Sequence, residues 1–233
     1  MNCIFLRRGY GESGPKVDYS DNFADNDWAK IIEVCQAGLV PTTWKVGDQK
    51  AMTINGTSYP IDIIGIQHDD YADGSGKAPF TFQLHNLYLT RYKMENTNTN
   101  INGWKNCVMR KTNLPAMLKL MPSEVKTAIK EVNKKSSAGN KSSTINTTAD
   151  KLFLLSEIEV KGTATYSKNG EGTRYQYYAN GGSTIKQTTA TQYWWTRSPY
   201  KSSVNHFCLF TSSGREDWGS SNQDYYASPA FCF

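Results

Sequence analysis

The sequence predicts an α+β fold with two helices, one tight β-hairpin and a loop-rich C-terminal half. Three observations carry this expectation: a helical apolar period near residue 30, an Asn-Gly dipeptide between two strand-like runs, and a second half in which Tyr, Gly, Ser and Asn interrupt any sustained period.

The helical period is DWAKIIEVCQAG. Trp28, Ile31, Ile32 and Cys35 fall at i, i+3, i+4 and i+7, Asn26 or Asp27 stands ready as N-cap, and Gly38 marks the stop. The hairpin is KAMTI and TSYPIDIIGI around Asn55-Gly56, a pair that accepts positive φ at both centres of a two-residue turn. In PSEVKTAIKEVNKK, Ser123 is expected to cap a second helix with Val125, Ile129 and Val132 on one face and the lysines opposite. SSAGNKSSTINTTAD then reads as a polar loop, LFLLSEIEV as a buried strand, and Gly162 to Gly182 as loops around short strands.

A chain of 233 residues suits one domain, here 26–233, preceded by an arm or attachment segment over 1–25 that mixes Gly, Pro, Asp and Ser. The apolar content is aromatic rather than aliphatic: 14 Tyr and 6 Trp stand in a chain only 38% hydrophobic, with mean hydropathy −0.59. Such a balance favours strands, irregular loops and recognition surfaces over a helical bundle. The net charge of +5 is mild and concentrated between Lys105 and Lys151, without a nucleic-acid module, so nucleic acid is not the expected partner. No run approaches the roughly 18 apolar residues of a membrane span, and the start MNCIFLRRGYGE has no Sec-type signal, so no membrane insertion is expected. Five cysteines without C-x-x-C spacing specify neither a disulfide framework nor a zinc knuckle.

The candidate chemical sites each have a simpler reading. GYGESG (Gly9 to Gly14) matches a pyrophosphate loop, but Pro15 stands where the helix must begin, which favours a flexible segment. HDDYADGSG, with Asp69, Asp70 and Asp73, resembles a calcium loop, but Phe80 occupies the position that needs Glu. A turn in which Asp side chains cap backbone amides and Gly74 and Gly76 take unusual φ fits better. The three histidines show no metal spacing and no serine sits in G-x-S-x-G, so neither metal nor cofactor nor catalytic residue is expected. YWWTRSP is read as framework: Trp194 and Trp195 on opposite faces of a strand, Arg197 paired with a carboxylate or carbonyl, and Pro199 ending the element.

After Pro199 two kinds of residue interleave. Phe207, Cys208, Leu209, Phe210, Trp218 and the closing PAFCF are apolar or turn-forming. Between them stand Tyr200, Ser202, Ser203, Asn205, His206, Arg215, Asp217, Ser220, Ser221, Asn222, Asp224, Tyr225 and Tyr226. The second set has the composition of a paratope, in which Tyr supplies rigid contact area and Ser and Asn supply adaptable hydrogen bonds.

YWWTRSP, the polar stretch, SSG and the terminal SPAFCF together resemble the end of the variable proteins of diversity-generating retroelements, found in phages and bacteria, which have a C-type lectin fold. DWAKIIEVCQAGLVPTTWKVGD, IDIIGIQHDDYADGSGKAPFTF, WKNCVMRKTNLP and LFLLSEIEVKG also resemble a phage and prophage lectin-like family, so the likeness runs from about Asp27 to Phe233. The resemblance implies that a reverse transcriptase miscopies template adenines and rewrites the gene's 3′ end, here residues 194–233, which is why the chain would stop where it does. Every residue of the polar set is reachable from the Asn codons AAY, whereas Phe207, Cys208, Trp218, Pro229 and Phe231 can have adenine-free codons. Lys201, Glu216 and Gln223 depart from that pattern.

The expectation is therefore a non-catalytic recognition protein. Its scaffold is Trp194, Trp195, Arg197 and Trp218, its polar set meets a cell-surface protein or glycan, and it is displayed on a phage tail or bacterial surface. Tyr225 and Tyr226 are expected to be replaceable by Ala at little cost in melting temperature. The alternatives are a formylglycine-generating type of enzyme, in which Cys208 and Cys232 must converge, and a structural virion protein. Free-thiol titration and metal analysis decide the enzyme alternative, and sequencing the gene's 3′ end in related isolates separates the virion protein from diversified recognition: substitutions confined to adenine positions are expected, and uniform drift along the gene would contradict diversification.

Overall fold

The computed structural model describes residues 6–8 and 17–233, so the GYGESG motif and Cys3 lie outside the described residues. In chain order the elements are β1 (Leu6–Arg8), β2 (Asp18–Ser20), a 3-10 turn (Phe23–Asp25), α1 (Trp28–Gln36), β3 (Gln49–Ile54), β4 (Thr57–Ile66) and β5 (Phe80–Leu84). Next come α2 (Gly103–Asn106), a π-helical turn (Met109–Asn113) running into α3 (Leu114–Leu120), α4 (Ser123–Ala128), β6 (Val132–Ser137), β7 (Ile145–Asp150), α5 (Glu157–Lys161) and α6 (Gln176–Ala179). β8 (Lys186–Gln187), β9 (Thr191–Gln192), β10 (Trp194–Pro199), β11 (His206–Phe210), β12 (Glu216–Ser220) and β13 (Ala230–Cys232) complete the chain. The architecture is mixed α+β, built on small antiparallel sheets: β13-β5-β4-β3, β10-β11-β12, and two-stranded ribbons including β6-β7.

The hairpin and first helix form as their residues dictate. Ile54 pairs with Thr57 around Asn55 and Gly56, at φ 49° and 78°, the two positive values that a tight type I′ turn needs. Asp27 caps α1 by accepting from the Lys30 amide at 2.7 Å, and Trp28, Ile31, Ile32 and Cys35 are buried. These faces meet around Phe82, which stacks on Phe231 at 5.5 Å and touches Trp28 and Phe233 at 5.9 and 5.4 Å. β13 therefore returns to pair with β5, burying the last residues beside residues near the start. The Tyr71 hydroxyl donates to the Phe233 carbonyl at 2.5 Å.

Several expectations are corrected. The arm does not extend to residue 25, because Val17, Tyr19 and Phe23 are buried in the core and Trp44 donates from Nε1 to the Ser20 carbonyl. The second helix ends at Ala128, its cap position is Pro122 rather than Ser123, and Ile129 turns extended. Val132 instead opens β6, whose pairing with β7 through Asp150 overrides the helical period, so the Ser/Thr/Asn-rich segment keeps a loop only over 138–144 and its second part is strand β7. Within LFLLSEIEV only Phe153 bridges to a strand residue, Ala230. Ser156 and Glu159 form a reciprocal capping box that starts α5, and Gly162 at φ 84° ends it. The Gly162 to Gly182 segment contains the single helical turn α6.

A chain of buried charges ties these parts together. Lys134 of β6 donates from Nζ to Asp69 Oδ1 at 2.7 Å and lies 2.8 Å from Glu159 Oε1. Arg197 of β10 grips Glu159 with Nη1 on Oε2 and Nη2 on Oε1, at 2.5 and 2.7 Å, as the sequence led one to expect of it. Its remaining donors reach the carbonyls of Leu154, Glu171 and Lys135. Asp69 Oδ2 accepts from Thr81 and Tyr175, so this aspartate anchors the core rather than capping a turn. The turn expected of its neighbours forms around Asp73, which accepts from the Ser75 amide, with Gly74 and Gly76 at positive φ. Burial disfavours ionised Asp69 and Glu159, but Lys134 and His68 together outweigh it at the first and Arg197 with Lys134 at the second, and both carboxyls lie below their usual range. Two acids facing two bases leave the chain neutral. Arg197→Met, which strands Glu159 and Asp69 on Lys134 alone, is expected to cost about 3–5 kcal/mol in urea unfolding; a loss below ~1 kcal/mol would deny the chain that role.

Candidate binding face

Period-two alternation in β10 sends Tyr193 and Trp195 to one side and Trp194 to the other. Trp194 stacks on Phe210 at 4.7 Å, and its indole donates to the Thr184 carbonyl. Trp195 meets Tyr225 edge-on at 4.9 Å and donates to the Tyr92 carbonyl. Both indoles are buried, as is Arg197. All three side chains therefore lie inside the fold and present nothing to solvent.

Trp218 is the correction. The residue is 41% exposed, because β12 is an edge strand and it is the neighbouring Gly219 that faces inward. A Cβ at Gly219 would come within 2.7 Å of the Tyr225 ring and 2.8 Å of Leu209, so the inward side admits no side chain and Trp218 is turned out. There it lies parallel to Tyr200, with ring centres 5.5 Å apart and planes 7° apart, and His206 meets it edge-on at 4.5 Å. Tyr166 closes on Tyr200 at 5.7 Å.

Polar members of the expected set surround this cluster. Ser203 Oγ is 2.6 Å from His206 Nδ1 and donates to Asn205 Oδ1 at 2.5 Å, while Ser220 Oγ is 3.5 Å from His206 Nε2. Burial pulls the His206 imidazole below its usual pKa, which favours the neutral ring. Ser202 and Arg215 are exposed, and Asn222 and Asp217 are half-buried. Ser221 is fully buried, with its hydroxyl donating to the Thr97 carbonyl and its backbone bonded to Asn205 and Glu95. It is therefore framework and not part of the replaceable face.

A second group gathers on the other side of β12. Tyr225 stacks on Tyr193 at 5.8 Å, and with Arg91, Gln192, Asp224 and Tyr226 they line a cavity of about 190 Å³. Backbone bonds clamp this segment: Tyr225 exchanges both with Tyr92, Tyr226 donates to Tyr193, and Trp195 donates to Tyr226. Tyr225 and Tyr226 are half-buried against the core, which corrects the expectation that truncation leaves stability unchanged. The structure thus divides the expected face into two exposed groups separated by β12, and it adds Tyr166, Arg91, Gln192 and Tyr193. Tyr193 was signalled by its position two residues before Trp195; the others belong to segments distant in sequence.

A family model for a domain of unknown function, DUF6273, matches residues 81–233, more than half of the chain. The chain belongs to the DUF6273 family. No curated protein and no solved structure matches it. The matched span begins in β5 and takes in both groups of the face, the buried Arg197 and the terminal strand.

Two further chemistries can be judged from the geometry. Cys208 and Cys232 are both buried free thiols, each pushed well above the usual thiol pKa by desolvation. The carboxylates acting on Cys208 are Glu157 and Glu171, whereas Cys232 sits beside Asp69 and Thr81, so the two thiols have different acidic neighbours. Among the described residues no three His, Cys, Asp or Glu side chains are grouped to hold a metal ion.

The loop carrying Tyr166 is held from beneath by acids. Glu157 accepts from the Tyr166 and Ser167 amides, and Glu171 accepts from the Ser137 amide. Burial, reinforced by Glu157, raises the Glu171 carboxyl to about 7, against the opposing pull of Ser198, Ser137 and Arg197. A folded-state pKa above the unfolded one means that the folded protein binds the extra proton, so this contribution is complete below about 4.5 and is lost as pH rises through about 7. Glu171→Gln is expected to remove that decline, measured as the difference in urea stability between variant and parent from about pH 5 to pH 7; parallel pH profiles would contradict it.

Proposed function

We propose that this chain is a recognition protein whose C-terminal third, on a C-type-lectin-like scaffold, presents Tyr, Trp, His, Ser, Asn and Asp to a macromolecular ligand on a cell surface. In this reading it binds and does not catalyse, and it is displayed on a phage tail or bacterial exterior, where the retroelement-like pattern of its tail allows contacts to be exchanged.

The observation that carries the reading is the Tyr200–Trp218 pair, two large parallel rings of which Trp218 is open to solvent and Tyr200 half-buried beneath it. Exposed aromatic area of this kind is costly for a free protein and is the usual anchor of an interface, since rings bury much surface while ordering few torsions. The surrounding Ser203, Asn205, His206 and Ser220 supply donors and acceptors at its rim. Their mutual hydrogen bonds orient them before a ligand arrives, which reduces the ordering cost of binding. The second group, around Tyr193 and Tyr225, extends the contact area with one guanidinium, from Arg91, and one carboxylate, from Asp224.

The assignment of individual residues changes with burial. Tyr200, Ser202, Ser203, Asn205, His206, Arg215, Asp217, Ser220, Asn222, Asp224, Tyr225 and Tyr226 remain candidates for contact, and Trp218 joins them. Labelled full-length protein applied to a panel of bacterial strains is expected to stain a subset of them. Trp218→Ala should lower the apparent affinity about tenfold or more with the melting temperature nearly unchanged; undiminished staining by that folded variant would refute the proposal.

A further inference from the structure

A second surface, remote in sequence from this face, has the form of a docking groove. It is a trough formed by two adjoining hollows of about 300 and 470 Å³ that share Glu131, Ala149 and Lys151 in their walls. One wall is the π-helical turn with α3, and the opposite wall is the end of β7 with the residues that lead from α4 into β6. The π-helical turn places Arg110 and Lys111 side by side at the rim, a local geometry that is rare and concentrates at functional positions.

The chemistry of the trough is mixed in an ordered way. Its floor is apolar: Leu114, Leu152 and Ile129 are buried, with Leu118 half-buried beside them. Arg110 is fixed in place, with Nε on Asp150 Oδ1 at 2.5 Å, Nη1 on the Lys105 carbonyl and Nη2 on the Ala149 carbonyl, and the pair cancels in charge. What remains free is cationic: Lys111 and Lys151 are exposed with no ion-pair partner among the described residues, and Lys130 lies 5.1 Å above the Tyr71 ring. Two acids interrupt the rim, exposed Glu131 and Asp73, the latter holding the Ser75 amide.

We propose that this trough docks an extended acidic segment of a partner protein that also carries apolar side chains. The lysines complement its carboxylates, and half-buried Leu118 with exposed Pro115, backed by Leu114 and Leu152, receive its apolar groups. A nucleic acid is the poorer fit. Its sugar-phosphate backbone would meet the lysines but leave the apolar floor uncovered. The groove draws Lys111, Lys130 and Lys151 from the lysine-rich stretch, which the aromatic face does not use.

The test is selection of short random displayed peptides on the immobilised full-length protein, followed by fluorescence anisotropy of the enriched peptides. Enrichment of sequences alternating Asp or Glu with Leu, Ile or Phe is expected. Their affinity should fall at least about tenfold for Lys111→Glu/Lys151→Glu and detectably for the milder Lys111→Ala/Lys151→Ala, with both variants folded and a steep loss at high salt. Trp218→Ala should bind these peptides normally, which separates this groove from the aromatic face. No enrichment, enriched peptides without acidic residues, equal binding by both lysine variants, or displacement of the peptide by a single-stranded oligonucleotide of matching length would each overturn the proposal.

Discussion

The Asp69–Lys134–Glu159–Arg197 chain is the constraint on which the rest of the structure depends. Each link comes from a different part of the chain: the turn after β4, strand β6, helix α5 and strand β10. Charges this deeply buried are tolerable only when paired and fully hydrogen-bonded, so the alternation of two acids and two bases dictates a single relative placement of four segments. Small sheets and short helices give little such specificity by themselves, because among the described residues no sheet exceeds four strands. The ion chain therefore does for this irregular fold what long repeated pairing does for a large sheet.

The face inherits its rigidity from that chain. Arg197 holds Glu171 by its carbonyl, Glu157 holds the Tyr166 and Ser167 amides, and Lys201 donates to the Tyr166 and Ala164 carbonyls, so the loop beneath Tyr200 is fixed from the interior outward. On the other side of β12, the Tyr225–Tyr226 segment is bonded between Tyr92 and the start of β10. Exchange of side chains at the solvent end of such a surface leaves its backbone support intact, whereas Ser221 and Gly219 allow no such freedom: the one is spent on the Thr97 carbonyl, the other on space for Tyr225.

The local parts of this design were legible in the residues. Asn55-Gly56, the Asp27 cap and the alternation through YWWTRSP encode short-range geometry, and each appears where its pattern places it. What escaped was long-range. Lys134 reads as one of several lysines on the solvent side of a helix, yet it is buried in β6, because its partners Asp69 and Glu159 are brought to it only by folding. Val125, Ile129 and Val132 keep a helical spacing across an element boundary that strand pairing sets. The Ser156–Glu159 capping box was written in LFLLSEIEV, but its apolar run reads equally well as a strand. Likewise Trp218 looks like framework by residue type, and only the crowding inside Gly219 turns it outward.

The central claim, that buried charges lock the irregular C-terminal half into the same cooperative unit as the aromatic core and so pre-form the face, is tested most directly by native-state hydrogen exchange. The amides of Ser137, Tyr166, Arg197 and Tyr226 are predicted to exchange only through global unfolding, with the same free energy and denaturant dependence as the β5 amides around Phe82. Exchange of Tyr166 and Arg197 through a low-energy local opening, while Phe82 stays protected, would contradict the account.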